Sequence, residues 1–184
     1  GHWAGSGYQE FRLPGAEWGT QVRAIVPGPD GMLYIATSTA GLFYLPASPS
    51  TALLPFPSPP DLLRTSAITF DAEGALWLTL ETGIVARCKD GVWSQFPLED
   101  GFTSHVATSV LKDREGNLWV GTKSGLDRFY SGPVTTYGKS EGLASDNVTC
   151  VTEDEEGRLW IGTKDQGLAV MSSNSITRVD PGTC

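Results

Sequence analysis

One short phrase occurs four times along the 184-residue chain at a nearly constant spacing. The copies read PDGMLYIAT at 29–37, DAEGALWLT at 71–79, DREGNLWVGT at 113–122 and DEEGRLWIGT at 154–163. Their turn glycines lie 43, 42 and 41 residues apart, at Gly31, Gly74, Gly116 and Gly157. A glycine–hydrophobe pair follows each copy, at 41–42, 83–84, 125–126 and 167–168. Such a long, regular period indicates repeated structural units, which constrains the fold before any single residue is interpreted.

A period of about 40–45 residues is typical of four-stranded propeller blades. In the third repeat, the pattern predicts strands at 106–111, 117–122, 126–130 and 134–137. Asp113 and Gly116 suit the first turn, because the carboxylate can accept backbone N–H bonds and glycine tolerates a positive φ. The consecutive apolar residues of the second strand, 118–120, predict a strand that is buried on both faces, as in a blade between two neighbours.

The chain is therefore predicted to be all-β, with propeller blades of four antiparallel strands and four repeats of about 42 residues. Residues 1–184 form one domain or fragment, with 1–13 as the end of a preceding blade and blades at 14–57, 58–97, 98–138 and 139–184. The remaining strands are predicted at 22–26, 32–37, 41–45 and 51–56; at 66–70, 75–79, 84–87 and 92–96; and at 148–152, 158–163, 168–171 and 175–179.

Two assemblies are compatible with four repeats. One is a closed four-bladed ring, and the other is a part of a larger ring. The spare strand predicted within 3–13 favours the part of a larger ring. A part would expose an apolar blade face at each end, so two copies could pair as a homodimer.

The first two repeats depart from the pattern. Gly28 stands where the others have the turn aspartate, and Tyr34 replaces tryptophan, although a tight turn and a large aromatic are retained. Arg87 stands where the third repeat has Phe129, and it is expected either to extend to solvent or to pair with an acid. The proline-rich segment 54–60 predicts an irregular connection between blades.

Composition excludes several classes of function. The formal net charge of −8 argues against nucleic acid, whose phosphates require clustered Lys and Arg. No apolar run is long enough to span a membrane, and the N-terminus lacks the features of a signal peptide. The three cysteines, Cys88, Cys150 and Cys184, are far apart and are interpreted as free thiols.

No catalytic or metal-binding motif is recognisable, and no cofactor is predicted. The sequence lacks a phosphate-binding loop, a nucleophile elbow and a paired-histidine metal motif. His105 is the one histidine outside the N-terminal segment, which is too few for a triad or a metal cluster. The acidic run at 153–156 is interpreted as a solvated turn. We therefore predict that the chain is not an enzyme, with a propeller lyase or hydrolase as the weakest hypothesis.

Function is expected in the loops, where the repeats differ from one another. The fourth-to-first connections (17–21, 61–65, 101–105, 142–147) and the second-to-third connections (38–40, 81–82, 123–124, 164–166) should emerge at the same end of the propeller. Their aromatic and hydrogen-bonding side chains suit a small polar ligand or a peptide loop. The candidate binding residues are Trp18, Arg64, His105, Lys123, Asn147, Lys164 and Asp165.

The repeats resemble the two-component regulator propeller family. Its pattern is found most clearly in the fourth repeat, as Gly142-Leu143, Asn147-Val148, the phrase at 154–163 and Gly167-Leu168. The third repeat matches from Asp113 to Phe129, and the first two match loosely. The motif is specific for the family, but it is uninformative about the ligand.

This resemblance implies a bacterial origin, a seven-bladed parent and a periplasmic or other extracytoplasmic location. Such propellers sense a ligand, often a carbohydrate breakdown product, for a membrane histidine kinase or similar regulator. The expected function is therefore a ligand-sensing segment of a signal-transduction receptor, with a small polar ligand on the loop face. The alternative is a structural or protein-interaction propeller without a small-molecule ligand.

Overall fold

The computed structural model describes residues 11–15, 18–47, 52–97, 102–129 and 134–179. Sixteen strands in these ranges form four antiparallel sheets, each made of four strands in sequence order. Blade 1 comprises β1 Val22–Pro27, β2 Leu33–Thr37, β3 Leu42–Leu45 and β4 Leu54–Pro55. Blade 2 comprises β5 Thr65–Phe70, β6 Leu76–Leu80, β7 Ile84–Lys89 and β8 Val92–Pro97.

Blade 3 comprises β9 Ala107–Lys112, β10 Leu118–Thr122, β11 Leu126–Phe129 and β12 Thr135–Tyr137. Blade 4 comprises β13 Val148–Glu153, β14 Leu159–Thr163, β15 Leu168–Ser172 and β16 Ser175–Arg178. The helical structure in the described ranges is limited to two short 3-10 helices, Pro60–Leu62 and Lys139–Glu141. The chain is therefore a four-bladed β-propeller, and the predicted all-β fold is confirmed.

The predicted strands agree with the observed ones to within one or two residues, except at the outer edge of blade 1. There the pattern predicts a strand at 51–56, whereas β4 contains only Leu54 and Pro55. Proline has no N–H to donate to a neighbouring strand, and Pro55 falls in this segment while Pro57 follows it directly, so the strand is short. Most of the predicted spare strand at 3–13 lies outside the described residues, and Phe11 and Leu13 pack against blade 1 without forming a strand.

Three apolar layers join the blades. The first lies between blades 1 and 2 around Tyr34 and Leu78, and the second lies between blades 2 and 3 around Val85 and Val120. The third lies between blades 3 and 4 and includes Trp119. In the second strands of blades 2 and 3, the tryptophan packs towards the following blade, while the residues before and after it pack towards the preceding blade. This alternation explains why all three positions are apolar.

The seam between blade 1 and blade 4 is looser than the others. The inner strands β1, β5, β9 and β13 pack against one another in that order, but no comparable packing joins the described strands β13 and β1. Apolar side chains remain exposed on these two blades: Ile25 is 60% exposed and Leu168 is 44% exposed. Pairing of two copies at these faces remains a prediction.

Each repeat turn is locked by one carboxylate that binds both the backbone and an aromatic side chain. In blade 3, Asp113 Oδ1 accepts the backbone N–H of Asn117 at 2.7 Å, while Oδ2 accepts the indole N–H of Trp119 at 2.7 Å. Asp71 with Trp77 and Asp154 with Trp160 repeat this arrangement, with indole bonds of 2.8 and 2.7 Å. The predicted backbone role of the aspartate is confirmed, and the indole bond is an additional finding.

Blade 1 makes the same connection with different residues. The hydroxyl of Tyr34 donates to Asp30 Oδ2 at 2.7 Å, and Asp30 Oδ1 accepts the N–H of Met32 at 3.0 Å. A Cβ at Gly28 would lie 2.5 Å from the Tyr34 ring and 2.6 Å from Asp30 Oδ1. Residue 28 must therefore be glycine, because the turn aspartate of blade 1 is Asp30, two positions later than in the other blades.

We predict that Asp113→Ala lowers the free energy of unfolding by about 3 kcal/mol, because it leaves the buried indole N–H and a turn N–H without acceptors. Urea denaturation would measure the change. Glu115→Ala, an exposed residue of the same turn, should change stability by less than about 0.5 kcal/mol. Equal effects of the two substitutions would show that the carboxylate–indole bond does not stabilise the blade.

We also predict a loss of stability at alkaline pH through Tyr34. Burial, followed by the hydrogen bond to Asp30 and the charge of that carboxylate, raises the pKa of Tyr34 to about 12. The unfolded phenol has a pKa of about 10, so the contribution is complete below about pH 10 and is lost as the pH rises towards 12. Unfolding measured between these values should show this loss in the native chain but not in Tyr34→Phe. A pH dependence that persists unchanged in Tyr34→Phe would contradict the assignment, and Tyr44→Phe is the matched control.

Candidate functional site

The two predicted sets of connections meet at one end of the propeller. The backbone N–H of Ser38 donates to the carbonyl of Gln21 at 2.9 Å, that of Glu81 donates to Arg64 at 3.0 Å, and that of Lys164 donates to Asn147 at 3.0 Å. Each bond joins a second-to-third turn to the segment that enters the inner strand of the same blade. These contacts confirm that both sets of loops emerge together.

Every inner strand carries a β-bulge at this end. In each blade the pairing register shifts by one residue near the start of the strand, which leaves a single residue unpaired. The unpaired residues are Arg23, Ser66, Thr108 and Thr149, and their spacing of 43, 42 and 41 residues equals that of the turn glycines. Because a bulge redirects the side chain of the extra residue, the same backbone irregularity presents an arginine, a serine and two threonines near the axis.

These four side chains line one cavity of about 610 Å³ at the loop end of the axis. The remaining lining residues are Glu81, Val106, Ala107 and Lys123. The volume is within the range of small-molecule sites, and the lining combines charged, hydroxyl and apolar groups. The cavity is thus the place where the repeated scaffold and the variable side chains meet.

The hydroxyl groups of the cavity are not equivalent. The single hydroxyl proton of Thr108 is within hydrogen-bonding distance of two backbone carbonyls, Gly121 O at 2.9 Å and Val148 O at 2.7 Å, and the shorter contact links blade 3 to blade 4. Thr149 Oγ1 donates to Gly162 O at 3.1 Å. Ser66 Oγ is buried and has no hydrogen-bond partner among the described residues. A buried hydroxyl without a hydrogen-bond partner is uncommon in folded proteins.

A group of ion pairs forms the rim beside Ser66. Glu81 Oε1 accepts a hydrogen bond from Arg23 at 3.0 Å, and Glu81 Oε2 lies 3.3 Å from Arg64 Nε. One carboxylate therefore connects the inner strand of blade 1 to the loop that enters blade 2. All three side chains are partly exposed, so the pairs contribute little to stability and are available to a ligand.

The structure places the predicted binding residues in three different settings. Lys123 lines the cavity, and Arg64 is bound to the lining residue Glu81. The backbone of Asn147 is engaged with Lys164, and its side chain is half-buried. The other four candidates are exposed on the loops and are not among the residues that line the cavity: Trp18, His105, Lys164 and Asp165.

Sequence reasoning did not select Arg23, Ser66, Thr108, Thr149 or Glu81 as site residues. The first four lie inside predicted strands or at their starts, where residues are usually assigned to the scaffold. Their spacing, which matches that of the turn glycines, together with one arginine among three hydroxyl residues, is the signal that could have identified them. The bulge that turns them towards the axis has no signature of its own in the sequence.

A second pocket of about 320 Å³ lies between blades 2 and 3, beside the repeat turns. Arg87 and Lys112 both lie over the ring of Trp77, at 5.6 and 5.4 Å from its centroid, and burial lowers the pKa of Lys112. Arg87 also pairs with Glu73 at 3.5 Å. Of the two alternatives left open for Arg87, solvent or an acid, the structure shows pairing with an acid.

Within the described ranges, no group of three or more His, Cys, Asp or Glu side chains is arranged to hold a metal ion. Cys88 is buried and Cys150 is exposed, and both are free thiols; Cys184 lies outside the described residues. None of the helices in the described part of the chain has the length and apolar character needed to cross a membrane.

Comparison with protein families identifies the repeat. Residues 101–124 and 142–165 match the family model of the two component regulator propeller. Two of the four repeats are therefore similar to two-component regulator propeller repeats. The matched segments contain the loop, inner strand and turn of blades 3 and 4, and they confirm the resemblance found in the sequence. No curated protein matches the chain.

Several solved structures share the fold. The extracellular domain of a protein assigned as a one-component system of B. thetaiotaomicron superposes with a TM-score of 0.69 and 20% identity, covering 89% of this chain and 24% of that one. The corresponding domain of a protein assigned as a hybrid two-component system of the same organism gives 0.65 and 21%, with 82% and 21% covered. This chain therefore spans about a quarter or less of those domains.

The same fold also occurs in an enzyme. Virginiamycin B lyase from Staphylococcus aureus, in complex with quinupristin, superposes with a TM-score of 0.67 at 16% identity, covering 94% of this chain and 59% of the lyase. Propeller architecture thus occurs in both extracellular receptor domains and a lyase. The function of this chain has to be argued from its site.

Proposed function

We propose that the chain is a non-enzymatic, ligand-sensing propeller segment of a bacterial signal-transduction receptor. It binds a small polar molecule, with a carbohydrate as the first class to test, at the loop end of the central axis. The observation that carries this proposal is the 610 Å³ cavity, into which four equivalent bulges present one arginine and three hydroxyl side chains. Scaffold residues repeat there while the lining varies, as expected of a binding site on a repeat fold.

A sensing function accounts for the chemistry of the cavity better than catalysis does. General acid–base catalysis requires side chains that are placed to transfer protons, and nucleophilic catalysis requires an activated nucleophile. The ionisable lining residues are Arg23, Glu81 and Lys123, and Glu81 is held between two arginines. These groups are suited to binding a ligand and orienting it.

The extracellular placement of the receptor domains with this fold supports the same location here. We therefore propose that this segment acts outside the cytoplasm and transmits ligand binding to an output domain. The match of two repeats to the regulator propeller model supports that role.

We expect a ligand from a library of oligosaccharides and small metabolites to raise the melting temperature by about 3–6 °C at ten times its Kd. Lys123→Ala should remove this gain, because Lys123 lines the cavity. Lys89→Ala makes the same charge change outside the cavity lining and should retain it. Differential scanning fluorimetry of the three proteins provides the comparison.

The alternative is a protein-interaction propeller, and the exposure of Trp18 favours it. This indole is fully exposed at the loop end, and exposed tryptophans are enriched among the residues that dominate protein interfaces. A stoichiometric protein partner whose binding is lost in Trp18→Ala, together with no thermal response across the library, would replace the ligand-sensing proposal with this one.

A further inference from the structure

The cavity presents far more hydrogen-bond donors than available acceptors at its charged side. We propose that its ligand is a small organic anion whose carboxylate is bound by Arg23 and Lys123. This inference rests on the proposed function, because it specifies the ligand class of the same cavity. It follows from the charges and hydrogen-bonding states of the lining residues.

The charge balance at the mouth is opposite in sign to that of the whole chain. Arg23, Arg64 and Lys123 carry three positive charges against the one negative charge of Glu81. The chain as a whole has a formal net charge of −8. A local positive excess in an acidic protein favours the entry of an anion into the cavity while other parts of the surface repel it.

The positive groups also have unused donors. A guanidinium has five N–H groups, and Arg23 uses one of its nitrogens for Glu81. Lys123 makes no hydrogen bond or ion pair with the described part of the chain, and it is exposed to the cavity. A carboxylate placed between these two groups would accept charge-assisted bonds from both, including a bidentate pair from the arginine.

The remaining walls do not offer a competing cation site. Thr108 and Thr149 donate their hydroxyl protons to backbone carbonyls, and Val106 and Ala107 are apolar. Ser66 lies on the same wall as Arg23 and Glu81, with its hydroxyl unpaired. An anion with an apolar or hydroxylated body would therefore bind with its charged group at Arg23 and Lys123. Its body would lie against Thr108 and Thr149.

Glu81 acts in this arrangement as an internal competitor of the ligand. Its two oxygens bind Arg23 at 3.0 Å and Arg64 at 3.3 Å. A ligand carboxylate would form the same kind of bond with these arginines. Removing its charge while keeping its shape should therefore strengthen anion binding. This effect distinguishes an anion site from a site in which Glu81 itself binds the ligand.

The pocket between blades 2 and 3 provides an internal comparison. It is lined by three acids, Asp71, Glu73 and Asp113, and by three cations, Arg87, Lys112 and Arg114. Its charges balance, and Arg87 and Lys112 are already engaged with Trp77. Arg87 is therefore a matched control for Arg23, since it is an arginine beside a pocket without a positive excess.

The test is a pair of NMR titrations of the chain with D-glucuronate and D-glucose at constant ionic strength. The two probes share a pyranose skeleton and differ in a carboxylate against a hydroxymethyl group. We expect glucuronate to bind at least about ten times more tightly than glucose, the effect of one charge-assisted contact. The shifted resonances should include those of Arg23 and Lys123.

Four variants sharpen the test. Arg23→Gln and Lys123→Gln should each weaken glucuronate binding about tenfold, whereas Arg87→Gln should leave it unchanged. Glu81→Gln should tighten it about fivefold, because one repelling charge about 4 Å away is removed. Amide spectra that retain the native dispersion would show that each variant is folded.

Equal affinity for both probes, or a Glu81→Gln variant that binds glucuronate more weakly, would overturn the anion proposal. In that case a neutral ligand found in the thermal screen would leave the sensing proposal intact. Binding of neither probe, combined with neutral hits in the screen, would also reject the anion class alone. No response to any member of the library would reject both proposals.

Discussion

The bond between the turn carboxylate and the aromatic side chain of the next strand is the interaction on which the blades depend. It satisfies the backbone of the turn and the indole N–H with one group, so a tryptophan can be buried between sheets without an unpaired donor. Hydrogen bonds to the carboxylate, that of Trp160 first, hold the pKa of Asp154 well below its usual range. Blade 1 keeps the interaction with Tyr34 and Asp30, which shows that the bond is retained while its residues change.

Rigid blades allow a binding cavity to be built from strand residues as well as from loops. The bulges at Arg23, Ser66, Thr108 and Thr149 occupy one structural position, but their side chains have different tasks. Thr108 fastens blade 3 to blade 4, while Arg23 joins Glu81 at the open side of the cavity. The cavity thus has one side where Thr108 is bonded to the backbone and another side where Arg23 and Glu81 carry charge. A ligand would contact these as two distinct surfaces.

The strands, turns and repeat family could be predicted because each depends on local sequence. The turn phrase combines an aspartate, a glycine with positive φ and an apolar strand, and these preferences act within a few residues. Lys123 and Arg64 were selected as candidates because loops that vary among repeats are natural binding positions, and the structure places Lys123 in the cavity lining and Arg64 beside the lining residue Glu81. The short β4 was missed where prolines interrupt the ladder, and the compensation of Gly28 by Asp30 was missed because it requires the position of the Tyr34 ring.

Four similar blades can be predicted from the sequence alone, since the period, the turn residues and the apolar strand pattern are encoded in every repeat. The packing of the folded chain sets which residues face a common cavity, because this depends on a register shift in each inner strand. It also decided that Glu81 lies between Arg23 and Arg64, residues 58 and 17 positions away in the chain. Contacts of this kind arise from the packing of blades around an axis, and a pattern that repeats within each blade does not specify them.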